Sequence, residues 1–160
     1  MLTSLLPPAA CAACRLCCNF CQSSAWETPA LEAELAQRLE CAGVPLEQRG
    51  GARTFRLEFA SEDPQECAFC PLLDSSAGCT LPREQRPFEC RLWPLRLMQD
   101  EAGHLVLACY TTCPGMAAVP REELLALAES LRPALLAHAR RCPASVRPLH
   151  PNYCLLDTLE

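Results

Sequence analysis

The sequence contains no lysine; all fourteen of its basic residues are arginine. Schiff-base catalysis and a lysine-bearing phosphate loop are therefore excluded. A formal net charge of -5 argues against a general nucleic-acid binder, so no nucleic-acid partner is expected. Long apolar runs are also missing, and no segment is long enough to span a bilayer. The N-terminus carries Leu2, Leu5 and Leu6 but no basic flank, and Pro7-Pro8 breaks it, so neither an export signal nor a membrane partner is expected. This reading makes the chain cytoplasmic. With six glycines, five phenylalanines and two tyrosines, little conventional sheet is anticipated. No G-x-S-x-G, H-E-x-x-H or glycine-rich phosphate cradle occurs, so no catalytic residue is assigned and the question of enzyme or non-enzyme stays open.

What the chain has in abundance is cysteine, fourteen in 160 residues, with fifteen prolines that break it into short segments. Five thiols fall within Cys11-Ala-Ala-Cys14-Arg-Leu-Cys17-Cys18-Asn-Phe-Cys21. Cysteines three residues apart on a short backbone form a pincer that can close on one soft metal ion or one iron-sulfur cluster. Cys11, Cys14, Cys17 and Cys21 match the ferredoxin run C-x2-C-x2-C-x3-C, without its following proline because Gln22 stands there. Cys11, Cys14, Cys17 and Cys18 form the overlapping C-x2-C-x2-C-C. In reducing surroundings these thiols are expected to bind metal in preference to pairing with one another.

Residues 1–10 read as an arm, 11–141 as a cysteine-cluster metal-binding domain and 142–160 as a C-terminal tail. Residues 11–26 read as a loop or distorted helical turn. Thr28 and Pro29 suit an N-cap and first helical position, and Leu31, Leu35 and Leu39 recur until Gly43. Cys41, on that helix's last turn, reads as a small buried apolar side chain. Gly50-Gly51 breaks the chain before Thr54–Phe59, whose alternating Phe55, Leu57 and Phe59 predict a strand. Cys67-x2-Cys70 and Cys79 then restate the pincer, followed by Cys90. Leu95 to Gln99 and His104 to Cys109 flank Asp100-Glu-Ala-Gly103 and predict a hairpin, after which Cys113 precedes Pro114-Gly115. From Pro120 to Arg141 the leucines mark a helical face, kinked or split at Pro133.

Cys11-x2-Cys14-x2-Cys17-Cys18, Cys70-Pro-Leu-Leu, Cys79, Arg86-Pro-x2-Cys90-Arg-x-Trp-Pro-Leu and Cys113-Pro-Gly-Met together resemble the YkgJ-type cysteine-cluster family of zinc- or iron-chelating domains. The match runs from Cys11 to about Met116. It implies a metal-binding domain in which Cys11, Cys14, Cys17, Cys18, Cys70, Cys79, Cys90 and Cys113 are the ligands; one related branch looks like flagellin lysine methylases. This chain departs from the pattern in having Arg15 where glycine is usual, Pro82 in place of an aromatic after Cys79, and one extra residue between Cys79 and Arg86.

Eight thiols are enough for two four-sulfur sites, or for one cubane and a zinc. Three closely spaced cysteines on one loop tilt the reading toward an iron-sulfur cluster, such as 4Fe-4S, with zinc the alternative. Whether Cys21, Cys67, Cys109, Cys142 or Cys154 are also ligands is not fixed by the sequence. Arg86 and Arg91 are candidate donors to thiolates, or partners of Glu84 and Glu89. Phe69, Leu72, Leu73, Trp93 and Leu95 are expected mainly as core, with exclusion of water from the sulfurs as a second role. His104, His138 and His150 lack ligand spacing.

The expected fold is α+β: a small, mainly helical and irregular metal-stabilised domain with a short hairpin. The expected function is an iron-sulfur or zinc protein acting as a redox, sensing or accessory module with a protein or redox partner. A cluster-assisted modifying enzyme or enzyme subunit, and a zinc-stabilised protein-interaction domain, are the alternatives.

Overall fold

The computed structural model describes residues 14–117 and 119–160. The expectations for residues 1–10 and for Cys11 fall outside them. The chain divides into two compact units, with the boundary between Arg91 and Leu92.

In the first unit, the described part of the stretch 11–26, expected as a loop or distorted helical turn, holds a 3-10 turn at Leu16–Cys18, strand β1 (Asn19–Cys21) and a 3-10 helix that starts at Gln22. Helix α1 (Ala33–Cys41) begins later than its sequence signals suggest. Thr28 does not cap it: the hydroxyl donates to the Ala25 carbonyl at 2.8 Å and closes the 3-10 helix Gln22–Glu27. Leu31 lies in an extended bridge to Arg53, so only Leu35 and Leu39 of the expected periodic leucines are helical. Gly43 ends the helix with φ 79°, a conformation that costs residues with a Cβ, and the Val44 amide donates back to Leu39.

Strands β2 (Leu46–Arg49) and β3 (Ala52–Phe55) form an antiparallel hairpin around Gly50-Gly51, whose two positive φ angles suit a tight turn. The last strand pair is Leu46 with Phe55, one further bond runs from the Arg56 amide to the Pro45 carbonyl at 3.0 Å, and pairing ends short of the expected Phe59. The alternation nevertheless shows in burial, because Phe55 packs with Leu31, Ala36 and Leu39, and Leu57 with Phe20 and Ala68. Strand β4 (Cys67–Phe69) pairs with β1, and β5 (Leu73–Asp74) with β6 (Gly78–Cys79). A one-turn helix, α2 (Phe88–Leu92), carries Cys90 to the end of the unit.

The second unit is built on a four-stranded sheet. The expected hairpin is present as β7 (Leu95–Gln99) and β8 (Leu105–Tyr110), and β9 (Arg147–Pro148) and β10 (Tyr153–Thr158) complete the order β10-β8-β7-β9. Residues 142–160, expected as a tail, thus supply two strands. Leu95, Leu97, Met98, Val106, Leu107 and Ala108 are each at most 2% exposed, which makes this sheet the core of the unit. Helix α3 (Arg121–Arg141) passes through Pro133 as one continuous element and buries Leu124, Ala128, Leu135 and His138. Arg132 ties it to β10 through Asp157 at 2.7 Å.

The fold is α+β but not mainly helical, with 37% helix and 26% strand among the described residues. Scarcity of aromatics misled that expectation: the strands are built from leucine, alanine, valine, methionine and cysteine, which pair through the same backbone bonds. Among the described residues no helix is long and apolar enough to cross a membrane.

Candidate metal centre

The first unit joins the halves of the cysteine motif through the backbone. The Cys70 amide donates to the Cys18 carbonyl at 2.8 Å, continuing the β1–β4 ladder past its last pair, Asn19 with Phe69. Cys17 and Cys18 hold their sulfurs 3.9 Å apart on the 3-10 turn. The β5–β6 hairpin sets Leu73 opposite Cys79, and the Thr80 amide donates to Leu72 at 2.9 Å, so the Cys70 segment and Cys79 lie on one folded-back loop. Asp74 fixes that loop by accepting from the Ser76 hydroxyl and the amides of Ser76 and Ala77, and these bonds hold its carboxyl down at about 2.

Neighbouring sulfurs and burial act together on Cys17, Cys70 and Cys90. The contact with Cys18 and then burial push the Cys17 thiol far above its usual range, opposed by the Arg86 guanidinium. Burial raises Cys70 to about 11, with Cys79 and Cys17 adding to the effect. Cys90 is pushed well up, first by the protein packed around it and then by Cys70, Glu89, Cys17 and Cys79. The residue nonetheless keeps exposed surface. Its sulfur is therefore crowded by protein while the residue as a whole stays within reach of water.

The structure thus brings Cys17, Cys18, Cys70, Cys79 and Cys90 into one neighbourhood of the first unit. Cys14 is exposed at the start of the described residues. Cys113 belongs to the second unit, where it acts on Cys109 together with Cys154. Among the described residues no three His, Cys, Asp or Glu side chains are arranged so that they could hold one metal ion.

Several neighbours differ from expectation. Cys21 and Cys67 oppose one another on β1 and β4 and are joined in a disulfide, so both leave the pool of candidate ligands and the preference for metal over pairing fails at this pair. Register is the physical reason, because it places two thiols face to face. Cys41 is exposed, not buried. Phe69 is 58% exposed and not core, whereas Leu72 packs against the Phe55 core along with Cys70. Arg86 donates to the Leu81 carbonyl at 3.0 Å, and Arg91 lies over the Phe88 ring. Of the histidines, His104 pairs with Asp100 and His138 is wholly buried on α3.

Two further residues shape the neighbourhood. Buried Glu89, directly before Cys90, accepts from the Ala30 amide at 2.5 Å and so anchors α2 to the segment leading into α1. Arg15 adopts φ 55°, ψ 6°, and is the one residue other than glycine with positive φ among those described. Left-handed backbone favours glycine, and here it carries an arginine. No family model matches the chain, and comparison with curated proteins and with solved structures gives no match.

Proposed function

We propose that this is a metal-binding protein that holds an iron-sulfur cluster through its cysteines and works as a redox, sensing or accessory module. The observation that supports the reading is the Cys70 to Cys18 backbone bond, which makes neighbours of two cysteine segments far apart in sequence. The donors gathered there are thiols, the soft ligands that iron-sulfur clusters and zinc prefer. Four of Cys17, Cys18, Cys70, Cys79 and Cys90 would hold the group, and the motif also suggests Cys11 and Cys14 as ligands; Cys113, the eighth cysteine of the motif, belongs to the second unit. A bound cluster supplies one-electron chemistry. The chain's own part is to hold thiolates close together, with Arg86 offsetting charge at Cys17. The partner is a protein or a small redox carrier.

Anaerobic purification followed by visible spectroscopy and iron and sulfide analysis tests the proposal. Brown protein with matching iron and acid-labile sulfide is the expected result. Colourless protein carrying zinc alone would overturn it and favour the zinc-stabilised interaction domain.

A further inference from the structure

The second unit contains a pair of thiols that the proposed centre does not use. Cys109 on β8 and Cys154 on β10 are directly opposed partners of an antiparallel ladder, and both are unbridged. The molecule already closes a pair of this kind, since Cys21 and Cys67 are directly opposed on β1 and β4 and joined. Directly opposed residues have Cα atoms about 4.5–5.5 Å apart, inside the span of a disulfide. Their side chains leave the same face of the sheet. Access is also favourable, with Cys154 exposed and Cys109 half-buried. Each sulfur makes a long contact to a neighbouring carbonyl, Cys109 to Tyr110 at 3.8 Å and Cys154 to Leu155 at 3.7 Å, and Cys109 also feels Cys154.

We propose that Cys109 and Cys154 form a reversible redox-modification site, closed to a cross-strand disulfide by exchange with a small-molecule disulfide such as oxidised glutathione. The exposed Cys154 thiol gives its proton to solvent and attacks one sulfur of the oxidant. The oxidant's S–S bond breaks, one of its thiols leaves, and a mixed disulfide forms. Cys109 then loses its proton and attacks the Cys154 sulfur, releasing the second oxidant thiol. Two protein thiols lose two electrons, and the oxidant is reduced to two thiols. Closure staples the last strand of the chain to β8.

Disulfide mapping of the full chain tests this. Cleavage at arginine releases Cys109 in peptide 97–121, with Cys113, and Cys154 in peptide 142–160, with Cys142, because Pro148 protects Arg147. After oxidised glutathione and blocking of remaining thiols, these peptides are expected to be joined, two hydrogens lighter than their sum, with fragmentation placing the bond between Cys109 and Cys154. Dithiothreitol should separate them. The link is expected to vanish in Cys154→Ser, an exposed position whose unchanged circular dichroism shows retained folding, and to survive in Cys113→Ser and Cys142→Ser. A bond placed elsewhere, a link that persists in Cys154→Ser, or a parent chain that stops at mixed disulfides or stays reduced would overturn the proposal.

Discussion

The Arg15 guanidinium donates to the backbone carbonyl of Ser75, tying the turn between Cys14 and Cys17 to the loop between Cys70 and Cys79. The same residue occupies left-handed backbone. One side chain thus offsets the conformational cost of its own position by joining two cysteine-bearing segments.

A residue with a Cβ loses about 1–2 kcal/mol in that backbone, and the tether returns about 1 kcal/mol. Arg15→Gly is therefore expected within about 1 kcal/mol of the parent chain, since it loses both terms. Arg15→Ala keeps the strain and loses the tether, and should be about 1 kcal/mol less stable than the parent. Urea unfolding of the three proteins checks the order; equal stability of the two variants would contradict this account of the turn.

The Cys21–Cys67 bridge closes a loop of sequence separation 46. Constraint of the unfolded chain on that scale is worth about 2–4 kcal/mol. Replacing both cysteines by serine should lower the unfolding free energy by that amount in oxidising buffer. In dithiothreitol the parent and double variant should converge. A difference that persists under reduction would point to packing, not to the cross-link.

Glu89 is buried and accepts from the Ala30 amide. Truncation to alanine orphans that amide and is expected to cost about 1–3 kcal/mol, whereas glutamine retains an acceptor and should cost less. Thermal unfolding of the two variants decides. If Glu89→Gln were as damaging as Glu89→Ala, the anchor would depend on charge.

The reduced, metal-free chain should also lose stability in alkali. Burial raises the Cys70 thiol from 9.0 to about 11. Between those values the folded chain holds a proton that the unfolded chain has released. Its contribution is therefore complete below pH 9 and lost as pH rises through about 11. Denaturant midpoints measured across that window in parent and Cys70→Ala chains test the sign; a loss equally steep in the variant would remove Cys70 as its source.

The elements legible in the sequence are those whose signals are local. The β7–β8 hairpin follows from two apolar runs around Asp100–Gly103, and α3 from its leucines. Strand β10 was not legible, because Tyr153-Cys-Leu-Leu has no clean alternation and its register shifts between Leu155 and Asp157. The helix signal at Thr28 and Leu31 was overridden by pairing with Arg53, a contact only the folded chain creates. At the candidate centre, spacing singled out the run holding Cys17 and Cys18, while Cys70, Cys79 and Cys90 were named as ligands by the motif resemblance. Spacing carried no information on the Cys21–Cys67 register or on Glu89, whose partner lies 59 residues away.

In the proposed function the thiols of the first unit hold an iron-sulfur cluster. Iron and acid-labile sulfide measured in anaerobically purified parent, Cys70→Ser and Cys41→Ser chains test it most directly. Cys41 is exposed on α1 and supplies the control. Matching iron and sulfide are expected in the parent and the Cys41 variant, with loss of both from the Cys70 variant. A parent without iron, or a Cys70 variant as fully loaded as the parent, would contradict it.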